Sequence, residues 1–169
     1  MNIKRMLTLA LMVLPLAMMA QMKIATVDVQ RVFDAMPESK LASEQLEKAS
    51  QQFKAEYEMM QKEFNDKYAA YQAIASNVET PATIRERRVR EIQDSNSEIE
   101  AFLAKSQASL ADMKQELEAP IYAKINTAIK EVGDAGRYTY IIDVSKTPVV
   151  YAGTGAIDLT GQVKKALGL

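Results

Sequence analysis

Residues 53–74, FKAEYEMMQKEFNDKYAAYQAI, and residues 99–117, IEAFLAKSQASLADMKQEL, decide the fold. In the first, Phe53, Tyr57, Met60, Phe64, Lys67, Tyr71 and Ile74 recur at alternating steps of three and four, with Lys67 the one polar intruder. In the second, Ile99, Leu103, Ser106, Leu110, Met113 and Leu117 do the same, and Ser106 is the exception. A 3.5-residue period keeps one stripe of a helix against a partner helix as the two supercoil. Residues 76–83, SNVETPAT, hold the turn chemistry of the interval. Pro81 cannot continue the first helix but suits the first turn of a second one, with Thr80 placed as its N-cap. The chain is expected to run out as a helix from about Glu38 to Ala75, turn, and come back antiparallel.

The returning helix changes character at Pro120. Ile121, Ile125, Ile129 and Val132 step by four, four and three, an 11-residue period that no longer supercoils left-handedly. Pro120 removes one backbone hydrogen bond, so a kink is expected there, and Gly133 is expected to end the helix.

Both flanks are β in character. KIATVDV, residues 23–29, alternates Ile24, Thr26 and Asp28 with Ala25, Val27 and Val29 and has four β-branched residues, which predicts a strand buried mainly on its Val27 and Val29 face. Residues 138–144 predict a second, and Val149 to Ala152 a third that folds back on it as a hairpin. Ile24, Val27, Val29, Ile141, Val144 and Val149 are the candidate core and oligomer contacts of this small body. Asp158 can cap a last helix over Leu159 to Leu167, with Leu159, Val163, Ala166 and Leu167 facing inward. The expected class is α+β, with a β body at residues 21–36 and 133–169 and a helical-hairpin arm inserted at residues 37–132. Two helices bury only a narrow seam and the body is small, so oligomerisation is the natural remedy.

The opening, MNIKRMLTLALMVLPLAMMAQ, pairs a basic start at Lys4 and Arg5 with an apolar run ending at Ala20. It has the form of a secretory signal peptide, residues 1–20, cleaved after Ala20, and is too short for a membrane-spanning helix. Without Lys4 and Arg5, 19 basic side chains face 22 acidic ones, a formal charge of −3. Generic nucleic-acid binding is not indicated. The chain has neither Cys nor His, so disulfides, thiolate metal sites and the commonest general base are excluded. Asp28, Asp143 and Asp158 are the acids that could converge near the body. Each reads more simply as a strand-face or capping residue, and no catalytic residue, metal ligand or cofactor is assigned.

Two surface features stand out on the hairpin. Met59 and Tyr68 spill outside the stripe, and with Tyr57, Met60 and Tyr71 they form a candidate surface for an adaptable, unfolded partner. Arg85, Arg87, Arg88 and Arg90 gather at the start of the returning helix, where the helix dipole favours anions, so a polyanion such as lipid phosphate is a candidate partner for the tip.

The order of elements, with KIATVDVQRVF at residues 23–33, LEAPIYAKINTAIKEV at 117–132, YTYIIDVS at 138–145 and IDLTGQVKKAL at 157–167, resembles the Skp or OmpH family of periplasmic chaperones. The resemblance implies a homotrimer whose bodies join in one barrel. Its arms would enclose unfolded outer-membrane proteins without ATP, with lipopolysaccharide contact near the basic tip. Well-known members are strongly basic, whereas this chain is slightly acidic, which shifts weight from charge to apolar contacts. A periplasmic coiled-coil spacer docking through its tip is the alternative role.

Overall fold

The computed structural model describes residues 22–169, so the leader expected at residues 1–20 lies outside the described residues. The chain forms two units, one holding the residues up to Ala35 together with Lys124–Leu169, the other Met36–Ala123. The class is α+β and mostly helical, with a small two-stranded sheet.

In the first unit, β1 (Ile24–Val27) pairs in parallel with β2 (Tyr140–Asp143), Ile24 opposite Tyr140 and Val27 opposite Asp143. Parallel neighbours need a long crossover, and the entire helical hairpin provides it. The other edge of β1 is occupied too: the Thr26 N–H donates to the Ile157 carbonyl at 2.8 Å, and the Leu159 N–H donates to the Thr26 carbonyl at 2.8 Å. The expected C-terminal hairpin is not formed. After β2 the chain turns on Asp143, whose Oδ1 accepts from the Ser145 N–H and hydroxyl, and Pro148 brings no N–H to a ladder. Val149 to Ala152 therefore do not return as a strand, and the segment that pairs beside β1 is Ile157 to Leu159.

β1 also stops two residues earlier than its pattern suggests. Asp28 Oδ1 accepts the Arg31 N–H at 2.9 Å, and the Val29 N–H donates to Asp143 Oδ1, so a short helix α1 (Val29–Ala35) begins at once. Its buried Val29, Val32 and Phe33 join Ala25 and Val27 of β1, and α1 packs on α4 (Thr160–Ala166). Ile125, Leu159 and Val163 complete the core with no exposed surface, each worth about 1.5–3 kcal/mol by burial. Of the six positions assigned to the body core, Val27 and Val29 are buried and Ile141 and Val144 half-buried, while Ile24 and Val149 are exposed in the single chain. In the last helix Leu159 and Val163 point inward as expected, but Ala166 is exposed.

Two long helices fill the rest: α2 (Pro37–Ala75) and α3 (Ala82–Gly136). Pro37 opens α2, where its missing N–H costs nothing. α3 continues through Pro120 and past Gly133, which does not end it. At Gly133 a Cβ would sit 3.0 Å from the Ile141 side chain, so glycine there serves a close helix–strand approach. The helix ends instead in a Schellman arrangement, with Tyr138 N–H on the Gly133 carbonyl and Arg137 N–H on that of Asp134. Arg137 takes the left-handed position at φ 52°, which usually falls to glycine. The Lys23 ammonium seals the site, donating to the Gly136 carbonyl and lying 4.1 Å above the Tyr138 ring.

Two expectations follow. Arg137→Gly should stabilise the chain by about 0.5–1 kcal/mol in urea denaturation, because glycine relieves the left-handed strain. At Asp143 burial works against ionisation, but the bonds from Ser145 and the Val29 N–H outweigh it and hold the carboxyl low; at Asp158 the Thr160 hydroxyl and N–H do the same. Groups that ionise more readily folded than unfolded stabilise above the ordinary aspartate value of 3.8 and lose that contribution as pH falls below it. Stability should therefore decline below about pH 4. Asp143→Asn should be less stable at pH 7 and show a flatter acid decline.

Candidate functional site: the helical hairpin

The second unit is the hairpin itself. Along α2 the shielded positions are Ser39, Ala42, Leu46, Ala49, Phe53, Tyr57, Met60, Phe64, Lys67, Tyr71 and Ile74, spaced by three and four. The stripe read from sequence, Phe53 to Ile74, is thus part of the seam, which Ser39, Ala42, Leu46 and Ala49 extend toward the start of α2. On α3 the seam runs Ile92, Ser95, Ile99, Phe102 and Ser106. Leu103 and Met113, expected within it, are exposed. The partner sets the phase: Phe102 meets Phe53 edge-on at 6.1 Å, and this places Leu103 on the flank.

The seam is apolar but thin. Ser39, Ser95, Ser106, Ala42 and Ala49 are buried in it, and such small side chains bury little area. The hydroxyls of Ser39 and Ser106 are satisfied locally, by the Met36 and Phe102 carbonyls. Lys67 keeps its charge inside the seam. Its Nζ lies 2.8 Å from Glu63, and the hydrogen bond to Glu63, opposed by burial and reinforced by Glu98 and Glu91, raises its pKa above the ordinary lysine value.

At the tip, three of the four arginines are engaged within the hairpin. Arg85 Nη1 donates to the Asn77 and Thr80 carbonyls at 3.1 and 3.0 Å, stapling the turn. Arg88 and Arg87 reach the two oxygens of Glu91 at 2.7 and 3.5 Å, and the hydrogen bond from Arg88 holds the Glu91 carboxyl below the usual carboxylate range. Arg90 lines an open groove of about 530 Å³ with Tyr71, Ala75, Ala82 and Val89. The four arginines share a neighbourhood without forming one free cationic patch.

The five residues picked as a partner surface divide in the same way. Tyr57, Met60 and Tyr71 are half-buried seam residues, and the Tyr57 hydroxyl accepts from Gln61. Met59, at 66 % exposure, and Tyr68, stacked on Phe64 at 6.4 Å, face solvent. Sequence reasoning missed Leu41, which is 57 % exposed. Leu41 and Met59 are eighteen residues apart, five full turns, so they share one face of α2. Leu103 and Met113 add exposed apolar positions on α3.

The three aspartates of the body act locally. Asp28 caps α1, Asp143 holds the turn after β2, and Asp158 accepts from the Thr160 N–H and hydroxyl. Among the described residues no group of three His, Cys, Asp or Glu is arranged to hold a metal ion, and no helix is long and apolar enough to cross a membrane.

Residues 23–167 match the family model for outer membrane protein (OmpH-like). The chain is 30% identical over 146 residues to the chaperone protein Skp of Yersinia enterocolitica, covering 85% of this chain and 84% of that one. Its fold is similar to a crystal structure from Caulobacter crescentus described as an outer membrane chaperone (OmpH-like). That match has a TM-score of 0.69 at 19% identity and covers 88% of this chain and 85% of the other.

Seam and flank should respond differently to substitution. Phe102→Ala should cost about 2–4 kcal/mol by removing the ring that meets Phe53, whereas Met59→Ser and Tyr68→Ser should stay within about 0.5 kcal/mol of the parent. Lys67→Met, which replaces a shielded charge by an apolar chain of similar length, should leave Tm unchanged or raise it. Thermal denaturation followed by circular dichroism measures all four.

Proposed function

Since the chain belongs to the OmpH-like family of outer membrane proteins, we propose that it is a periplasmic, ATP-independent holdase chaperone that binds unfolded outer-membrane proteins and prevents their aggregation. The observation that carries this reading is the hairpin: two long helices with a thin seam and Leu41, Met59, Tyr68, Leu103 and Met113 left in solvent. Methionine, leucine and tyrosine offer contact area without demanding one partner shape, which suits a chain that has not folded. Binding needs no nucleotide and no catalytic group. The signal-peptide form of residues 1–20 supports a periplasmic address.

A homotrimer is part of the proposal. Support comes from the outer face of the sheet, where Ile24 and Tyr140 lie side by side at 46 % and 58 % exposure, with Ile142 beyond them, and from the loop at Val149 to Tyr151, where Val150 is 99 % exposed. That much apolar surface on so small a body calls for a cover, and a second and third copy supply it. Clients would then be held between the hairpins of the three copies. A lipid contact at the tip rests on Arg90, because Arg87 and Arg88 reach a polyanion only by leaving Glu91.

Light scattering on the mature protein should give the mass of three chains, and Tyr140→Asp with Ile142→Asp should lower it. The protein should suppress aggregation of a urea-unfolded outer-membrane β-barrel protein diluted into buffer without nucleotide. Met59→Ser with Tyr68→Ser should weaken that suppression while Arg90→Ala should not. The reverse pattern, loss with the tip variant alone, would favour a spacer that docks through its tip, and a stable monomer without suppression would overturn the holdase reading.

A further inference from the structure

We propose, resting on the holdase reading, that the hairpin selects unfolded polypeptides of net positive charge, in which apolar residues are interleaved with Lys and Arg, and turns acidic ones away. The charge of the chain is unevenly placed. Met36–Ala123 carries 11 basic and 16 acidic side chains, a formal charge of −5, whereas residues 22–35 and 124–169 carry 8 basic and 6 acidic, +2. The unit that exposes the client-facing side chains is therefore the acidic one.

The pattern holds at the level of single residues. Side chains three apart on a helix are neighbours, about 5–6 Å between Cβ atoms. At that spacing Leu41 has Glu44, Met59 has Glu56, Leu103 has Glu100 and Met113 has Glu116. Lys62, beside Met59, is the one cation at such a position. These four exposed apolar side chains thus each have a carboxylate one turn away, while Tyr68 has none, and Glu56 and Glu116 form no ion pair among the described residues. Six of the eleven cations of the unit are engaged within it: Lys54 on Glu58, Lys67 on Glu63, Lys114 on Glu118, Arg87 and Arg88 on Glu91, and Arg85 on the turn carbonyls. An incoming segment that sets an apolar side chain on Leu41 or Met59 and a Lys or Arg one step along places its charge against a carboxylate. An acidic segment meets repulsion at the same spot. Such complementarity discriminates between partners and speeds encounter more than it deepens affinity, and salt screens it.

Two labelled unfolded peptides of equal length and apolar content, with opposite net charges of about five, test this against the full mature protein at low and high salt. The cationic peptide should bind about tenfold more tightly at 20 mM NaCl, with the gap shrinking below about threefold at 500 mM. Charge reversal at Glu44→Lys, Glu56→Lys, Glu100→Lys and Glu116→Lys together should invert the preference while mass and circular dichroism stay unchanged. Equal or tighter binding of the acidic peptide at low salt, or an unchanged preference in the correctly assembled variant, overturns the charge selection and leaves the holdase reading standing. Failure to bind either peptide at either salt, with no suppression of aggregation, overturns both.

Discussion

β1 holds two segments that lie more than a hundred residues away along the chain. Its backbone bonds to β2 on one side and to Ile157 and Leu159 on the other, so a strand of four residues is the middle of the body and not an edge. Each backbone bond contributes only about 0.5–1.5 kcal/mol net. The arrangement persists because Ala25 and Val27 bring their side chains into a core shared with Ile125, Leu159 and Val163, and because the polar ends are tied. Thr160 links the Asp28 N–H to Asp158, and Asp143 links the start of α1 to the turn after β2. The closure of so long a loop is entropically costly, though the cost grows slowly with length. What the crossover contains is almost free to vary, which is how a helical hairpin can occupy it.

The hairpin solves a different problem. Its helices bury a stripe of small and medium side chains and are held by Phe53 against Phe102, by Lys67 among Glu63, Glu91 and Glu98, and by Arg85 across the turn. Area is scarce, so the charged contacts matter more for specifying the seam than for total stability. The flanks remain open, and the exposed Met, Leu and Tyr side chains sit there because a two-helix seam has room for one stripe only. The feature that makes the unit poor as a core makes it suitable for transient contacts with other chains.

From Phe53 to Ile74 the stripe along α2 was legible residue by residue, Lys67 included, whereas its first half, Ser39 to Ala49, was not read because mainly small and polar residues carry it. The ends of that helix fall within one residue of expectation, because turn chemistry and a proline mark them. On α3 the same reading placed Leu103 and Met113 in the seam and passed over Phe102. Serines at 95, 106 and 109 thin the apolar signal there, so two neighbouring phases look equally good in one dimension, and the ring of Phe53 chooses between them. Of the partner surface, Met59 and Tyr68 were found through their place outside the stripe. Leu41 was missed because it stands alone among polar neighbours.

The sequence by itself determined that two long helices would form and fold back on each other, since a 3.5-residue period and a Pro-marked turn are local properties that need no distant partner. Only the tertiary structure decided which strand lies beside β1, that Val149 to Ala152 would stay unpaired while Ile157 to Leu159 took that edge, and that α3 would pass Gly133 to end at Gly136. It alone decided, too, which tip arginines are spent on Glu91 and the turn. These outcomes depend on contacts between residues far apart in sequence or on the reach of long side chains, and neither leaves a periodic trace in the chain.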